Sequence, residues 1–185
     1  MELSENVIVI DLEATCWENG KMPNNGVMEV IEIGICVVST LTMEISNKQS
    51  IYVFPERSEI SEFCTSLTGI TSSLLEEKAI SFSNACKKIK EEYNSGDCVW
   101  GSYGEFDRKL LQKQCEQMGV EYPMGARHIN IKDLFALKRK LVRPKGLTKA
   151  LRIINEPFEG IHHSGADDAY NTAKILVWML KNDNK

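Results

Sequence analysis

Two carboxylates stand two residues apart at the end of a short apolar run near the start of the chain. The run, VIVIDL at residues 7–12, is rich in branched residues and predicts a buried central strand. Because side chains alternate across a strand, Asp11 and Glu13 leave by the same face at its C-terminal edge. A fold that holds two anions side by side normally supplies a cation.

The acid pair offers only oxygen ligands, with no cysteine or histidine directly beside it. Such ligands favour Mg²⁺ or Mn²⁺ over zinc. The alternative is a strand end that has reached solvent, where two acids in this spacing are unremarkable. Further acids elsewhere in the chain are therefore needed to support a metal site.

A third inward acid is predicted in the helix that opens near Gly104. A projection at about 100° per residue gathers the apolar side chains on one side. These are Phe106, Leu110, Leu111, Cys115 and Met118. Asp107 falls in the middle of that side, which favours an orientation into the fold and a partner there. The alternative is an aspartate in the first turn that only stabilises the helix dipole.

The last predicted helix carries two adjacent aspartates with different orientations. Ser164 followed three residues later by Asp167 is typical of a capping box, which puts His162 and His163 directly before the helix. The projected polar side consists of Asp167, Asn171, Lys174 and Lys181. Asp168 lies at the edge of the core side. We therefore expect Asp167 to cap the helix and face water, and Asp168 to point into the fold.

The remaining pattern predicts an α/β protein in which the first three strands form an antiparallel meander. Strands are predicted at 30–38, 45–54, 98–103 and 128–131. Helices are predicted at 81–93, 134–140 and 147–154, with a further short helix capped by a Ser or Thr before Leu74.

The composition indicates an ordinary globular protein. Of 185 residues, 43% are hydrophobic and 26% are charged, and the length fits a single domain over residues 1–185. The chain shows no secretory signal pattern and no apolar run of the roughly 20 residues that a membrane helix needs. We expect an intracellular, cytoplasmic protein with no membrane partner.

The six cysteines are scattered and form no CxxC pair. Several lie inside apolar segments. This distribution favours reduced core residues over zinc ligands or disulfides.

Charge is distributed unevenly along the chain. The net charge of −4 argues against a protein that coats duplex nucleic acid non-specifically. The segment 127–152, called the basic segment below, nevertheless has Asp133 as its only acid. Its basic residues are Arg127, Lys132, Lys138, Arg139, Lys140, Arg143, Lys145, Lys149 and Arg152. The segment is either a phosphate-facing flank or a solvated helix face.

Three motifs together resemble the DEDDh superfamily of 3′-to-5′ exonucleases. They are DLEATC from Asp11, SYGEFD from Ser102 and HHSGADDAYN from His162. The segment FCTSLTGIT from Phe63 narrows the resemblance to the branch with the histone-mRNA and RNA-interference-related 3′ exoribonucleases. The resemblance implies a ribonuclease-H-like α/β fold, with a mixed central sheet flanked by helices in a single domain.

The same resemblance implies the roles of individual residues. Four acids would bind two Mg²⁺ or Mn²⁺ ions, and these are Asp11, Glu13, Asp107 and Asp168. His163 would join them in the catalytic set as the general base. The residues that would border the terminal nucleotide are Ala14, Thr15, Leu67 and Thr68. The implied reaction releases nucleoside 5′-monophosphates from the 3′ end of single-stranded RNA.

Two alternatives to an exoribonuclease stay open. A DNA-directed or sugar-indifferent exonuclease is one, since no residue visibly contacts a 2′-hydroxyl, the group that distinguishes RNA from DNA. The other is a non-catalytic nucleic-acid-binding module. The presence of all four acids and the histidine disfavours the latter.

Overall fold

A five-stranded mixed sheet forms the centre of the protein. The computed structural model describes residues 5–23 and 26–182. The strands are β1 (Asn6–Ala14), β2 (Val30–Ser39), β3 (Ile45–Tyr52), β4 (Val99–Ser102) and β5 (His128–Asn130). In the order β3-β2-β1-β4-β5, the first three strands are antiparallel, and β1, β4 and β5 are mutually parallel neighbours. The predicted meander and the α/β fold class are confirmed.

Helices cover both faces of this sheet. Within the described residues they are α1 (Glu62–Thr68), α2 (Ser72–Lys78), α3 (Phe82–Tyr93), α4 (Phe106–Met118), α5 (Ile131–Lys138), α6 (Leu147–Ile153) and α7 (Gly165–Lys181). A short 3₁₀ turn spans Glu18–Gly20. None of these helices is both long and apolar enough to cross a membrane.

Strand β1 is buried on both faces. Ile8, Ile10 and Leu12 belong to a core cluster that also contains residues of α3 and α4. Val7 and Val9 belong to a second cluster, with residues of α5, α6 and α7. Because side chains alternate along a strand, Asp11 and Glu13 continue the row that faces α7. The apolar run thus serves as a central strand that delivers two acids to the α7 side.

The short helix that was predicted with a Ser or Thr cap before Leu74 is preceded by a second helix, which the apolar pattern does not predict. The predicted helix is α2, and Thr71 caps it by accepting a hydrogen bond from the Leu74 amide at 3.1 Å. The additional helix is α1, which Ser61 caps. It has only two turns and buries little of its surface, so it leaves a weak periodic signal.

Two other boundaries differ by a few residues. Strand β3 ends at Tyr52, and α5 begins at Ile131 rather than near 134. Asn130 supplies the cap of α5 by accepting a hydrogen bond from the Asp133 amide at 3.1 Å. An asparagine cap of this kind starts a helix before its apolar periodicity becomes visible.

All six cysteines are free, as predicted. Cys16 and Cys98 are half-buried, and the other four are buried. Burial raises the pKa of Cys36 to about 12, which keeps this thiol protonated.

Candidate active site

Three of the four predicted metal ligands meet at the carboxyl end of β1. Asp11, Glu13 and Asp168 each place one carboxylate oxygen within 4.8 Å of the other two. Helix α7 reaches the strand because β2 has a glycine there. A β-carbon on Gly34 would lie 1.8 Å from the backbone of Gly165, the first residue of α7. This close approach brings an acid of the helix to the two acids of the strand.

The two acids of β1, Asp11 and Glu13, are called the strand acids below, and their surroundings destabilise the charged form of both carboxylates. Within residues 5–23 and 26–182, no donor hydrogen-bonds to the carboxylate of Asp11 or Glu13. Burial, followed by the charges of Asp107 and Asp168, raises the pKa of Asp11 well above its ordinary value. Burial, then Asp168 and Glu32, raises the pKa of Glu13 to about 8. A proton or a cation beside these carboxylates would offset this cost.

Asp107 points into the fold from the first turn of α4, as predicted, and is buried. It lies outside the 4.8 Å group, and its carboxylate accepts a hydrogen bond from the Leu12 amide at 3.0 Å. Pairing between β1 and β4 ends at Val9 and Gly101, so this amide lies beyond the part of β1 that pairs with β4. Burial raises the pKa of Asp107 to about 6, against the lowering effect of its hydrogen bonds. Asp107 is thus anchored to the backbone of the strand that carries Asp11.

Asp168 is buried in the first turn of α7, and its predicted inward orientation is confirmed. Its carboxylate accepts a hydrogen bond from the backbone amide of His163 at 3.0 Å. The ring atom Nδ1 of His162 lies 3.0 and 3.1 Å from its two oxygens. Both histidines therefore contact Asp168, but His162 does so through its side chain and His163 through its backbone.

His163 has an unusual backbone conformation and a ring held against its neighbour. Its φ is 66°, in the left-handed region that residues with a side chain rarely adopt. The rings of His162 and His163 stack with centroids 4.2 Å apart. Burial and His162 lower the pKa of His163, against the attraction of Asp168. The His163 ring is therefore neutral near pH 7 and able to accept a proton.

Glu32 is a fifth acid at the site, and it is buried, but the sequence does not predict it. It lies opposite Glu13 in the β1–β2 register. Its carboxylate accepts hydrogen bonds from the amides of Gly165 at 3.0 Å and Ala166 at 3.3 Å, and from Ser50 Oγ at 2.5 Å. A carboxylate at a helix N-terminus is stabilised by the free amides and the dipole. The signal for it is a glutamate inside the apolar run VIEIGICVV.

The predicted capping box is wrong, since Glu32 takes its place. Ser164 does precede the first helical residue, but its side chain makes no cap hydrogen bond. The Asp167 carboxylate instead accepts a hydrogen bond from the Ile161 amide at 2.7 Å and pairs with the ammonium of Lys48. Its side chain is only 17% exposed, so the prediction that it faces water is also wrong.

The polar side of α7 is covered from Asp167 to Lys174, which contradicts the helical projection there, while Lys181 at the end of the helix is exposed as projected. Asn171 has no exposed surface, and its amide exchanges hydrogen bonds of 2.8 and 3.0 Å with the backbone of Glu159. Lys174 binds the carbonyl of Pro157 at 2.6 Å and a carboxylate oxygen of Glu159 at 2.6 Å. The segment before the helix thus folds back over its polar side and fixes the loop that holds the two histidines.

Phe106 departs from the projection of α4 as well. The other predicted core residues of the helix are buried or half-buried, whereas Phe106 is 54% exposed. It is the first residue of α4, so the helix contributes no earlier turn to cover it. An aromatic ring therefore lies in solvent directly before Asp107.

The residues predicted to border a nucleotide differ in exposure. Leu67 is 38% exposed, while Ala14 and Thr68 are buried. Thr15 has no exposed surface, and its hydroxyl accepts a hydrogen bond from the Glu29 amide at 2.9 Å. The Thr15 hydroxyl therefore holds the loop before β2, and the contact of this residue with a nucleotide stays a prediction.

The basic segment lies next to the carboxyl end of β4. The hydroxyl of Tyr103, the residue after β4, donates to the carbonyl of Lys145 at 2.7 Å. This hydrogen bond ties the loop between α5 and α6 to the side of the sheet that carries the acids. The exposed basic residues of the segment are Arg127, Arg139, Lys140, Arg143, Lys149 and Arg152.

Comparison with known proteins identifies homologues over nearly the whole chain. A family model described as an exonuclease matches residues 8–176. Rat 3′-5′ exoribonuclease 1 is 34% identical over 186 residues, which cover 95% of this chain and 53% of the relative. Mouse ERI1 exoribonuclease 2 is 32% identical over 207 residues, which cover 98% of this chain and 29% of the relative. The chain thus spans about half or less of these curated relatives.

Solved structures share the fold. The nuclease domain of 3′hExo, described as a DEDDh family member bound to rAMP, superposes with a TM-score of 0.87 at 32% identity, over 98% of this chain and 94% of that one. A 3′-exonuclease described as recognising the histone mRNA stem-loop gives 0.87 at 31% identity, over 98% and 84%. From these matches and the arrangement of its four acids, the chain belongs to the exonuclease family, within the DEDDh superfamily.

Proposed function

We propose that the protein is a 3′-to-5′ exoribonuclease that releases nucleoside 5′-monophosphates from single-stranded RNA. The observation that carries this proposal is the group of half-buried Asp11 with buried Glu13 and Asp168, and Asp107 anchored beside it. Such a group of acids has no structural use without a cation, because each carboxylate raises the cost of ionising the others. The names of the relatives, which are exoribonucleases, support the choice of reaction.

The family implies divalent metal ions, and the donor set of this chain fits them. The four carboxylates are hard oxygen ligands. The pKa values of Asp11 and Glu13 are raised because the surroundings do not compensate their negative charge, and a bound cation would do so. We assign to them two Mg²⁺ or Mn²⁺ ions. When bound, these ions would supply an activated water and polarise the scissile phosphate.

His163 is the proposed general base. Its neutral ring would take the proton of the attacking water. His162 is less suited to this step, since its Nδ1 already faces the carboxylate of Asp168. We assign to His162 the role of holding Asp168, together with the His163 backbone amide. Ala14, Thr15, Leu67 and Thr68 remain proposed contacts of the terminal nucleotide, and Leu67 is the most exposed of the four.

The test uses one RNA and one DNA oligonucleotide of the same sequence, each labelled in separate preparations at the 5′ and 3′ ends. Purified protein with Mg²⁺ or Mn²⁺ should shorten 5′-labelled RNA stepwise and release the 3′ label as a mononucleotide. Asp11→Asn protein, prepared in parallel, controls for contaminating nucleases. Equal or faster degradation of the DNA would favour a sugar-indifferent or DNA-directed enzyme, and binding without degradation would favour a non-catalytic module.

A further inference from the structure

A buried glutamate of β2, Glu32, attaches the start of helix α7 to the sheet. Its carboxylate accepts hydrogen bonds from two amides of the helix, that of Gly165 at 3.0 Å to Oε2 and that of Ala166 at 3.3 Å to Oε1. The hydroxyl of Ser50 on β3 donates to Oε1 at 2.5 Å. One side chain thus connects two strands of the sheet with the N-terminus of α7.

These hydrogen bonds lie where α7 meets the strands of the candidate site. Glu32 and Gly34 are two residues apart on β2 and so share the face of the sheet that α7 covers. Gly34 is opposite Asp11 in the β1–β2 register. A β-carbon on Gly165 would lie 3.1 Å from the carbonyl oxygen of Asp11, the carboxylate carbon of Glu32 and the amide nitrogen of Gly34. The first residue of α7 therefore rests directly on the strands.

Asp168 is in the helical turn that these hydrogen bonds hold. It follows Gly165 by three residues, and its amide donates to the carbonyl of Ser164 at 2.8 Å. The start of the helix therefore determines where the backbone of Asp168 lies, whereas the amide of His163 orients its carboxylate. Because the Ser164 side chain makes no cap hydrogen bond, Glu32 supplies the acceptor from another element.

Both partners in this contact would lose if α7 moved away from the sheet. The first amides of a helix have no acceptor inside the helix. A buried carboxylate without hydrogen bonds is strongly destabilised, and the helix dipole adds to its attraction for the N-terminus. The carboxylate oxygens that lie within 4.8 Å of one another belong to Asp11, Glu13 and Asp168, and Glu32 is outside this group. Its carboxylate serves donors of the protein instead.

We propose that Glu32 is a positioning residue that holds the first turn of α7 on the sheet and so keeps Asp168 beside Asp11 and Glu13 as a metal ligand. The inference rests on the proposed role of these three acids in metal binding. Residues that support metal ligands from outside the coordination shell typically contribute about 10–100-fold to metal affinity.

Two substitutions of similar size separate the contact with α7 from the charge of Glu32. E32Q loses the charge but keeps an oxygen that can accept from the Gly165 amide, and its nitrogen can donate to Ser50. E32M has neither group. We expect Mn²⁺ to bind E32Q within about threefold of the wild type and to bind E32M at least about tenfold more weakly, by titration calorimetry on the full chain.

Equal weakening in E32Q and E32M would overturn the proposal, because the charge of Glu32 or its direct ligation of the metal would then explain the effect. Wild-type affinity in E32M would overturn it as well, since Asp168 would then be held without Glu32.

E29M is the matched control for a general loss of stability. Glu29 is also a fully buried glutamate, but its carboxylate accepts hydrogen bonds from the amides of Glu56 at 3.2 Å and Arg57 at 2.9 Å instead of those of α7. E29M should bind Mn²⁺ within about twofold of the wild type, even where its melting temperature falls as far as that of E32M. A loss of affinity in E29M equal to that in E32M would contradict the proposal.

Hydrogen exchange in the metal-free wild type covers the case of misfolded variants. The amides of Gly165 and Ala166 should exchange slowly, because Glu32 holds them although they lack acceptors inside the helix. Exchange of these two amides as fast as in an unstructured peptide would overturn the proposal.

The proposed function is tested separately by RNA degradation with the wild type. Protein that binds Mn²⁺ but leaves RNA intact would refute the exoribonuclease, while the Glu32 variants would still decide this inference. Protein that degrades RNA with equal Mn²⁺ affinity in E32Q and E32M would refute the inference alone.

Discussion

The strand and the helices contribute the same chemical group to the candidate site but hold it differently. The helix acids are fixed by hydrogen bonds, Asp107 to the Leu12 amide and Asp168 to the His163 amide, each at 3.0 Å. The strand acids, Asp11 and Glu13, receive no hydrogen bond from the described residues. Backbone donors can thus orient two carboxylates before any ion arrives, while the other two depend on protons or a cation for neutralisation.

This difference predicts that substitution of a strand acid, Asp11 or Glu13, causes the largest loss of turnover. Asp11→Asn should lower turnover of RNA by roughly 10³-fold or more, because a lost ligand removes several kcal/mol of transition-state stabilisation. The variant should melt in EDTA at or above the wild-type temperature, since a crowded carboxylate has been neutralised. Steady-state assays in saturating Mg²⁺ and thermal melts measure both effects.

Asp167→Asn is the matched control, because Asp167 is on α7 next to Asp168 but outside the group of acids. Its turnover should stay close to that of the wild type. A strong loss of turnover in this control, or substantial residual turnover in Asp11→Asn, would break the distinction between the two sets of acids.

His162 and His163, which lie directly before α7, are predicted to differ in their effect on turnover. His163→Ala should lower turnover by at least about 10²-fold, since the general base is lost. His162→Ala should lower it by less than about tenfold, because Asp168 keeps its hydrogen bond from the His163 amide. Assays of both variants across pH in saturating metal distinguish the roles. A disabled His162→Ala enzyme beside an active His163→Ala enzyme would reverse the assignment.

The basic segment is expected to contribute less to activity than the acids, because its exposed residues lie on the surface and not in the group of acids. Replacement of Lys140, Arg143 and Lys149 by glutamine should raise KM a few-fold and leave kcat nearly unchanged. The slope of log affinity against log salt should become shallower by about 0.7 for each lost phosphate contact. The control replaces three exposed lysines elsewhere, Lys78, Lys87 and Lys90. If both triple variants keep the wild-type salt slope, the segment is a solvated face.

The free energy of unfolding in EDTA should fall as pH rises from about 5 to 8. Glu13 has an ordinary pKa of 4.5 and a folded-state pKa of about 8, so the folded protein holds a proton that the unfolded chain has lost over this interval. A raised folded-state pKa stabilises the fold below the unfolded value, and the stabilisation is lost as pH rises through the folded value. Asp107, with a pKa of about 6, adds to the trend at its lower end.

Melting temperatures in EDTA and in Mg²⁺ measure this effect, which we expect to amount to a few degrees. Bound Mg²⁺ should remove or reverse the trend, because it replaces the protons. Glu13→Gln should flatten it in EDTA. A melting temperature that rises with pH in EDTA would contradict the raised pKa.

Local patterns in the sequence correctly predict where the four acids point. Alternation along β1 puts Asp11 and Glu13 on one face, and helical periodicity turns Asp107 and Asp168 inward. These predictions hold because apolar neighbours on the same element determine which way each acid faces. A pattern within a single strand or helix is sufficient to predict where its side chains point, wherever that element packs directly on the sheet.

The same patterns fail where polar groups are buried by polar partners. The helical projection puts Asn171 on the solvated side of α7, because its neighbours on that side are polar. In the structure the backbone of Glu159 covers it. Glu32 is passed over because its partners, the first amides of α7, come from more than 130 residues away in the chain. Hydrophobic periodicity reports burial against apolar surface and is blind to hydrogen-bonded contacts between distant segments.

Calorimetric titration of Mn²⁺ into metal-free protein near pH 7.5, in two buffers of different ionisation enthalpy, tests the role of the strand acids most directly. It counts both the bound ions and the protons that they displace. We predict two ions per chain with net release of protons, because burial and neighbouring acids raise the pKa of both Asp11 and Glu13 and so favour their protonated forms in the metal-free protein. Binding without proton release, or no saturable binding at all, would contradict the assignment of these carboxylates as a metal site.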